Sequence, residues 1–201
     1  HGDDNGLVLP PRVAPIQGVV LPIAQHKPGV IEAAQGLKDR LEKAGVRVKL
    51  DDSDKAPGWK FAEYEMRGVP LRVEIGPKDM EKEQCCIARR DTGEKAFVPL
   101  AELESTVAKL LDEIHDNMFA MAKKNLEDNT FFADTWEEVR AVVEKNSGGF
   151  VHTKWCGSLD CELAMKEKVG VTSRCMPLDQ SGAAGKCPVC GKECTTDIIW
   201  G

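Results

Sequence analysis

Gly68-Val69-Pro70-Leu71-Arg72-Val73-Glu74-Ile75-Gly76-Pro77-Lys78-Asp79 is the stretch that decides the fold. Pro70 to Ile75 reads as a strand in which Arg72 and Glu74, two apart, share one face. Gly76-Pro77 ends that strand and stiffens a loop carrying Lys78 and Asp79.

Outward from this strand, helix and strand signals alternate. Upstream, Pro57 opens a helix, where its missing N–H costs nothing, and Gly68 closes it. Val46 to Leu50 alternates apolar and polar residues, a half-buried strand. Pro28 to Ala44 spaces Val30, Ala33, Ala34, Leu37 and Leu41 as a helix does, with Gly45 as its stop. Gly18 to Ala24 is a short apolar run, a buried strand. Residues 1–17 hold prolines at 10, 11 and 15, which exclude a regular helix or a central strand; they read as a connector. Downstream, Gln84 to Arg89 and Lys95 to Val98 are two further strands joined by the turn Asp91-Thr92-Gly93-Glu94. Leu100 to Asn125 is a long helix with Leu103, Val107, Leu110, Leu111, Ile114 and Met118 on one face. The expected class is α/β, a mixed β-sheet flanked by helices over residues 18–128.

A small α+β domain is expected over residues 129–201. Thr135-Trp136-Glu137-Glu138 is a capping box, Gly148-Gly149 ends the helix it starts, and Phe150 to Trp155 is a strand ahead of a cysteine-rich tail.

The 201 residues carry a net charge of −6 with 30% charged and 42% hydrophobic residues, ordinary for a globular chain. That acidity argues against non-specific coating of a polyanion and against a DNA partner, but leaves room for local RNA contacts. No apolar run is long enough for a membrane span, and His1-Gly2-Asp3-Asp4-Asn5 is no signal peptide.

Of eight cysteines, six lie between 156 and 194. Cys156 and Cys161 form one close pair and Cys187 and Cys190 another. Two such pairs supply four thiolates, the set that a tetrahedral Zn²⁺ takes. Gly157 and Gly191 let the backbone turn so that N–H groups face the sulfurs. Cys194 is an alternative ligand, and Cys175 reads as a packed thiol on a strand. At least one of Cys85 and Cys86 belongs to the core. A thioredoxin-type redox pair is the competing reading of Cys187-Pro188-Val189-Cys190, but the flanking Gly-Lys dipeptides suit a zinc knuckle rather than a helix start. Clustered thiols with no disulfide framework imply a reducing, cytoplasmic compartment.

Several stretches together resemble prolyl-tRNA synthetases of the archaeal/eukaryotic type. Residues 1–14 (HGDDNGLVLPPRVA) look like the segment that follows the third class II motif. Pro57-Gly58-Trp59-Lys60-Phe61 is similar to the entry of a helix in that family's anticodon domain. Residues 68–79 resemble its tRNA-facing strand and loop, Arg89 to Lys95 the next hairpin, and Cys156-Gly157-Ser158-Leu159-Asp160-Cys161 half of its zinc site. The strand and loop alone would indicate only a class IIa anticodon-binding fold. The resemblance implies that residues 1–17 are the tail of a catalytic domain, and that Arg72, Glu74, Lys78, Asp79 and Lys95 bind proline tRNA. It also implies structural Zn²⁺ on Cys156, Cys161, Cys187 and Cys190. The family's ATP and Mg²⁺ would be used by a catalytic domain of the same polypeptide, in a homodimer.

From the residues alone, Arg72–Glu74 reads first as a surface cross-pair and Lys78-Asp79 as a solvated turn; the resemblance reverses that preference. Trp59 suits a buried anchor better than a stacking platform. His1, His26, His115 and His152 are scattered, with His115 expected at the surface. The chain shows neither a glycine-rich phosphate loop nor a nucleophile–base pair. A freestanding RNA- or protein-binding module with a structural zinc is the alternative; Leu7-Val8-Leu9-Pro10-Pro11, which such a module would not need, speaks against it.

Overall fold

The computed structural model describes residues 1–146 and 148–201. They form two compact units, His1–Ala120 and Met121–Gly201.

In the first unit, β1 (Gly2–Asp3) and β2 (Gly6–Leu7) make a small hairpin. A five-stranded sheet follows, interleaved with helices: β3 (Gly18–Pro22), α1 (Val30–Lys43), β4 (Val48–Leu50), α2 (Pro57–Met66), β5 (Leu71–Ile75), α3 (Pro77–Glu81), β6 (Gln84–Arg89) and β7 (Lys95–Pro99). A turn of 3₁₀ helix, Leu100–Glu102, leads into α4 (Leu103–Asp128). The strand order is β4-β3-β5-β6-β7. β3 pairs parallel with β4 and β5, while β5–β6 and β6–β7 are antiparallel. The mixed sheet is thus the expected one.

One face of the sheet, with Val20, Leu71, Val73, Ile75, Cys85, Ile87 and Val98, packs under Ala34, Leu37 and Leu41 of α1 and Leu103, Val107, Leu111 and Ile114 of α4. The helical periodicity of residues 28–44 and 100–125 falls on that face. The other face presents Val19 and Leu21, which meet Phe61 and Tyr64 of α2.

Beneath α2 lies a polar anchor. Lys60, 2% exposed, donates from Nζ to the carbonyl of Asp51 at 2.8 Å and sits 3.7 Å from its carboxylate. The Tyr64 hydroxyl donates to Asp51 Oδ2 at 3.1 Å.

The second unit contains β8 (Thr130–Phe132), α5 (Trp136–Lys145), β9 (Phe150–Trp155), α6 (Leu159–Val169), β10 (Ser173–Cys175), β11 (Gly185–Lys186), β12 (Glu193–Cys194) and β13 (Thr196–Trp200). The order β10-β13-β9-β8 makes one sheet, and β11–β12 is a separate hairpin. The capping box forms as expected: Thr135 Oγ1 accepts from the Glu138 N–H, and the Glu138 carboxylate accepts from the Thr135 N–H. Val139, Val151, Met165, Ile198 and Trp200 make the core, with Trp200 Nε1 donating to Thr153 Oγ1 at 2.9 Å.

Several local expectations are corrected. Lys78 and Asp79 lie on the short helix α3, not in a loop; Pro77 at its first turn favours the helix that Gly76 introduces. Trp59 is 50% exposed, with the Lys55 ammonium 5.3 Å from its ring, because Lys60 and Tyr64 instead face inward from α2. Cys175 is exposed on β10. His115 is half-buried, and its Nδ1 is enclosed without a hydrogen-bond partner among the described residues. No helix among those residues is long and apolar enough to cross a membrane.

Candidate nucleic-acid interface and metal centre

Sheet register places the predicted charged residues. Val19, Arg72, Ala88 and Lys95 form one cross-strand row, and Leu21, Glu74, Cys86 and Phe97 the next. Both rows point away from the helix-covered core, because Val73, Ile87 and Val98 alternate with them.

Arg72 is only 8% exposed. Its Nε donates to Glu74 Oε1 at 2.8 Å and its Nη1 to Glu65 Oε1 at 2.9 Å. Its guanidinium stacks 4.0 Å from the centroid of the Phe61 ring. The Lys95 ammonium lies 3.6 Å from Glu74 Oε1 and 5.4 Å from the same ring. Two acids, two cations and an aromatic face therefore converge, and an opening of about 80 Å³ lined by Glu65, Arg72, Arg90 and Lys95 leads into them. The arginine is preorganised: two carboxylates and a ring fix its fork, so little rotamer freedom remains to be lost on binding.

The structure thus brings together Arg72, Glu74 and Lys95, but joins neither Lys78 nor Asp79 to them by any hydrogen bond or ion pair among the described residues. Asp79 accepts from the N–H of Gly76 at 3.0 Å and caps α3. Lys78 is exposed on the same helix.

Sequence reasoning missed Phe61 and Glu65. Their spacing of four puts them on one face of α2, a signal that was readable. What was not readable is that this face lies over Arg72.

In the second unit, Cys156 follows β9 and Cys161 sits in the first turn of α6. Cys187 and Cys190 lie in the β11–β12 connection. The four sulfurs are all within 4.8 Å of one another, with Cys156 3.6 Å from Cys161 and 3.7 Å from Cys190. Tetrahedral coordination with metal–sulfur bonds of about 2.3 Å would set the sulfurs about 3.8 Å apart. The donor set and its spacing fit one metal ion.

The two halves are built alike. Gly157 and Gly191 have φ of 81° and 72°, a left-handed conformation that glycine adopts without steric cost. The N–H groups of Ser158 and Lys192, one residue further on, then reach the sulfurs of Cys156 and Cys190. The Lys192 N–H pulls the Cys190 thiol down to about 7, whereas burial pushes Cys156 and Cys161 up. Cys194 stands outside the four-sulfur group; burial raises its thiol, with the neighbouring sulfur charges adding to the effect.

Residues 17–110 match the family described as "Anticodon binding domain" and residues 136–201 the family described as "Prolyl-tRNA synthetase, C-terminal". Over all 201 residues the chain is 52% identical to a proteín named "Proline--tRNA ligase" from Clostridium botulinum, of which it spans 42%. It is 49% identical to one named "Proline--tRNA ligase 2" from Bacillus cereus, again spanning 42%. The chain therefore spans about two fifths of the length of these curated relatives. With an anticodon-binding domain followed by the synthetase's own C-terminal domain, the chain belongs to the prolyl-tRNA synthetase family and represents its C-terminal region.

Proposed function

We propose that this chain reads the anticodon of proline tRNA as part of a proline–tRNA ligase. The observation that carries the reading is the convergence of Phe61, Glu65, Arg72, Glu74 and Lys95 within the anticodon-binding domain. Proline anticodons share two guanines. A guanine donates from N1–H and N2–H₂, which a carboxylate accepts, and accepts at O6 and N7, where a cation donates. Anticodon bases are unpaired and can be splayed out, so these edges are accessible. Arg72 holds Glu65 and Glu74 apart at fixed positions; Lys95, half exposed, meets the incoming RNA. Lys78 contributes a phosphate contact, and Asp79 acts by fixing the turn that carries it.

Residues 18–128 are assigned to anticodon binding and 129–201 to a zinc-bearing domain, with 1–17 as the connector from a catalytic domain. Cys156, Cys161, Cys187 and Cys190 hold Zn²⁺, which supplies a cross-link between the strand-to-helix turn and the hairpin. The whole enzyme activates proline with ATP and Mg²⁺ and passes it to the tRNA 3′ end, as a cytoplasmic homodimer. The relatives named are bacterial, so they lend no support to the archaeal/eukaryotic subtype implied by sequence resemblance; the assignment here is to the prolyl family without it.

The test is a titration, at fixed salt, of wild type and Glu74→Ala against native and guanine-substituted proline anticodon stem-loops. Loss of one bidentate contact costs about 1–3 kcal/mol, so the variant should bind the native loop more weakly and discriminate less against the altered guanine. Unchanged discrimination would reduce Glu74 to an ion-pair partner of Arg72.

A further inference from the structure

Phe97 is one of the aromatic residues that the cores do not use, and it is the one beside the Arg72–Glu74 cluster on the sheet. It lies on the edge strand β7 and is 66% exposed. Its neighbour Val98 points the opposite way and is buried in the main core. A large apolar side chain on an exposed edge is an aggregation liability, and a polar residue there would satisfy the same backbone.

Its surroundings give the exposure a direction. Phe97 occupies the row Leu21–Glu74–Cys86–Phe97, beside Lys95 of the adjoining row. Between it and the charged cluster stand only Cys86 and Ala88, both small and buried, so the floor is low. Helix α2 covers the β3 side of this face through Phe61 and Tyr64 and leaves Lys95 and Phe97 open. Strand spacing puts Phe97 roughly 10 Å from Glu74, two strands away.

We propose that Phe97 is a stacking platform for a single-stranded RNA base, taking a nucleotide that adjoins those met by the Arg72–Glu74 cluster. The inference rests on the anticodon reading given above. An open sheet face with an exposed ring and an adjacent ammonium is the arrangement by which sheets hold unpaired bases: the ring meets the base's π-face and the cation meets the backbone phosphate. Every base has such a face, so Phe97 contributes affinity and direction of the strand without base choice. The guanine preference stays with the carboxylates.

The experiment uses the 201-residue chain and proline anticodon stem-loops with 2-aminopurine placed on either side of the guanine pair. Stacking on Phe97 should quench one of the two probes. Phe97→Leu keeps an apolar side chain of similar bulk without the ring. It should abolish that quenching and weaken binding about 5- to 150-fold, by the same factor whichever base occupies the position. Phe97→Trp should restore both. If Phe97→Leu binds and quenches like wild type while Glu74→Ala still loses guanine discrimination, the inference falls and the anticodon reading stands. Failure of wild type to bind the stem-loop overturns both.

Discussion

Lys60 and Asp51 form a charge pair sealed beneath α2, the ammonium 3.7 Å from the carboxylate, with side-chain exposures of 2% and 10%. Removing one member of such a pair strands the other without water or a counter-charge. Asp51→Ala should therefore destabilise the first unit by about 3–5 kcal/mol. Lys60→Met keeps the stem but strands the Asp51 carboxylate in turn, so it should cost a similar amount. Urea denaturation followed through a first-unit probe measures both; a much smaller loss for Lys60→Met would mean that packing rather than pairing sets the cost.

The same anchor makes stability depend on pH at both ends. Burial raises the Asp51 carboxyl, but hydrogen bonds from Ser53 and Tyr64 and the Lys60 charge outweigh it, so its pKa lies below the ordinary value. A depressed folded pKa stabilises above the unfolded value of about 3.9, and the gain is lost as pH falls through the folded value. Tyr64 is the reverse. Burial, followed by the Asp51 charge, pushes its hydroxyl up to about 12, so its contribution is complete below pH about 10 and drains away as pH rises towards the folded value. Thermal melts should show Tyr64→Phe flattening the alkaline limb and leaving an acid limb in place.

One Zn²⁺ per chain should co-purify with the protein, and Cys161→Ser should reduce that to a substoichiometric amount. Thiolates, not thiols, bind the metal, so loading should release protons and weaken as pH falls. The variant should lose protection in hydrogen exchange from Phe150 onward while Val20, Val73 and Ile87 keep theirs. Elemental analysis that finds full zinc in the variant would exclude Cys161 from the ligand set.

The 201-residue chain alone should support no proline-dependent exchange of pyrophosphate into ATP, since it spans 42% of the relatives' length and matches their anticodon-binding and C-terminal families rather than the family's ATP-binding motifs. Measurable exchange would overturn the assignment of catalysis to another part of the polypeptide.

Most of the fold was legible because periodicity and punctuation agreed. Val30, Ala34, Leu37 and Leu41 repeat at helical spacing and are buried as a stripe, and the Asp91–Glu94 turn joins β6 to β7. Several elements escaped: α6, whose low amphipathicity hides behind the cysteines, α3, expected as a loop, the short strands β1, β2, β8, β11 and β12, and β13 in the cysteine-rich tail. The four-cysteine cluster was readable because both cysteine pairs are local in sequence. The charged cluster around Arg72 was only half readable, since spacing tells which residues share a face but not which helix crosses it. That is why Arg72 and Glu74 were found and Phe61 and Glu65 were not. Trp59 misled because size suggested burial, and the inward positions of α2 went to Lys60 and Tyr64.

The mixed pairing of the first sheet has a consequence for how the chain acquires it. Ala88 meets Lys95 across a tight turn, whereas Val19 meets Lys49 on one side and Arg72 on the other. Closing long segments costs chain entropy before any contact repays it, so the β6–β7 hairpin should form early and β3 should insert late. Replacing hairpin residues should then slow refolding, while trimming Val19 should mainly speed unfolding. The surface proposed to meet RNA would be laid down on the fast half of the sheet, before β3 completes the slow half.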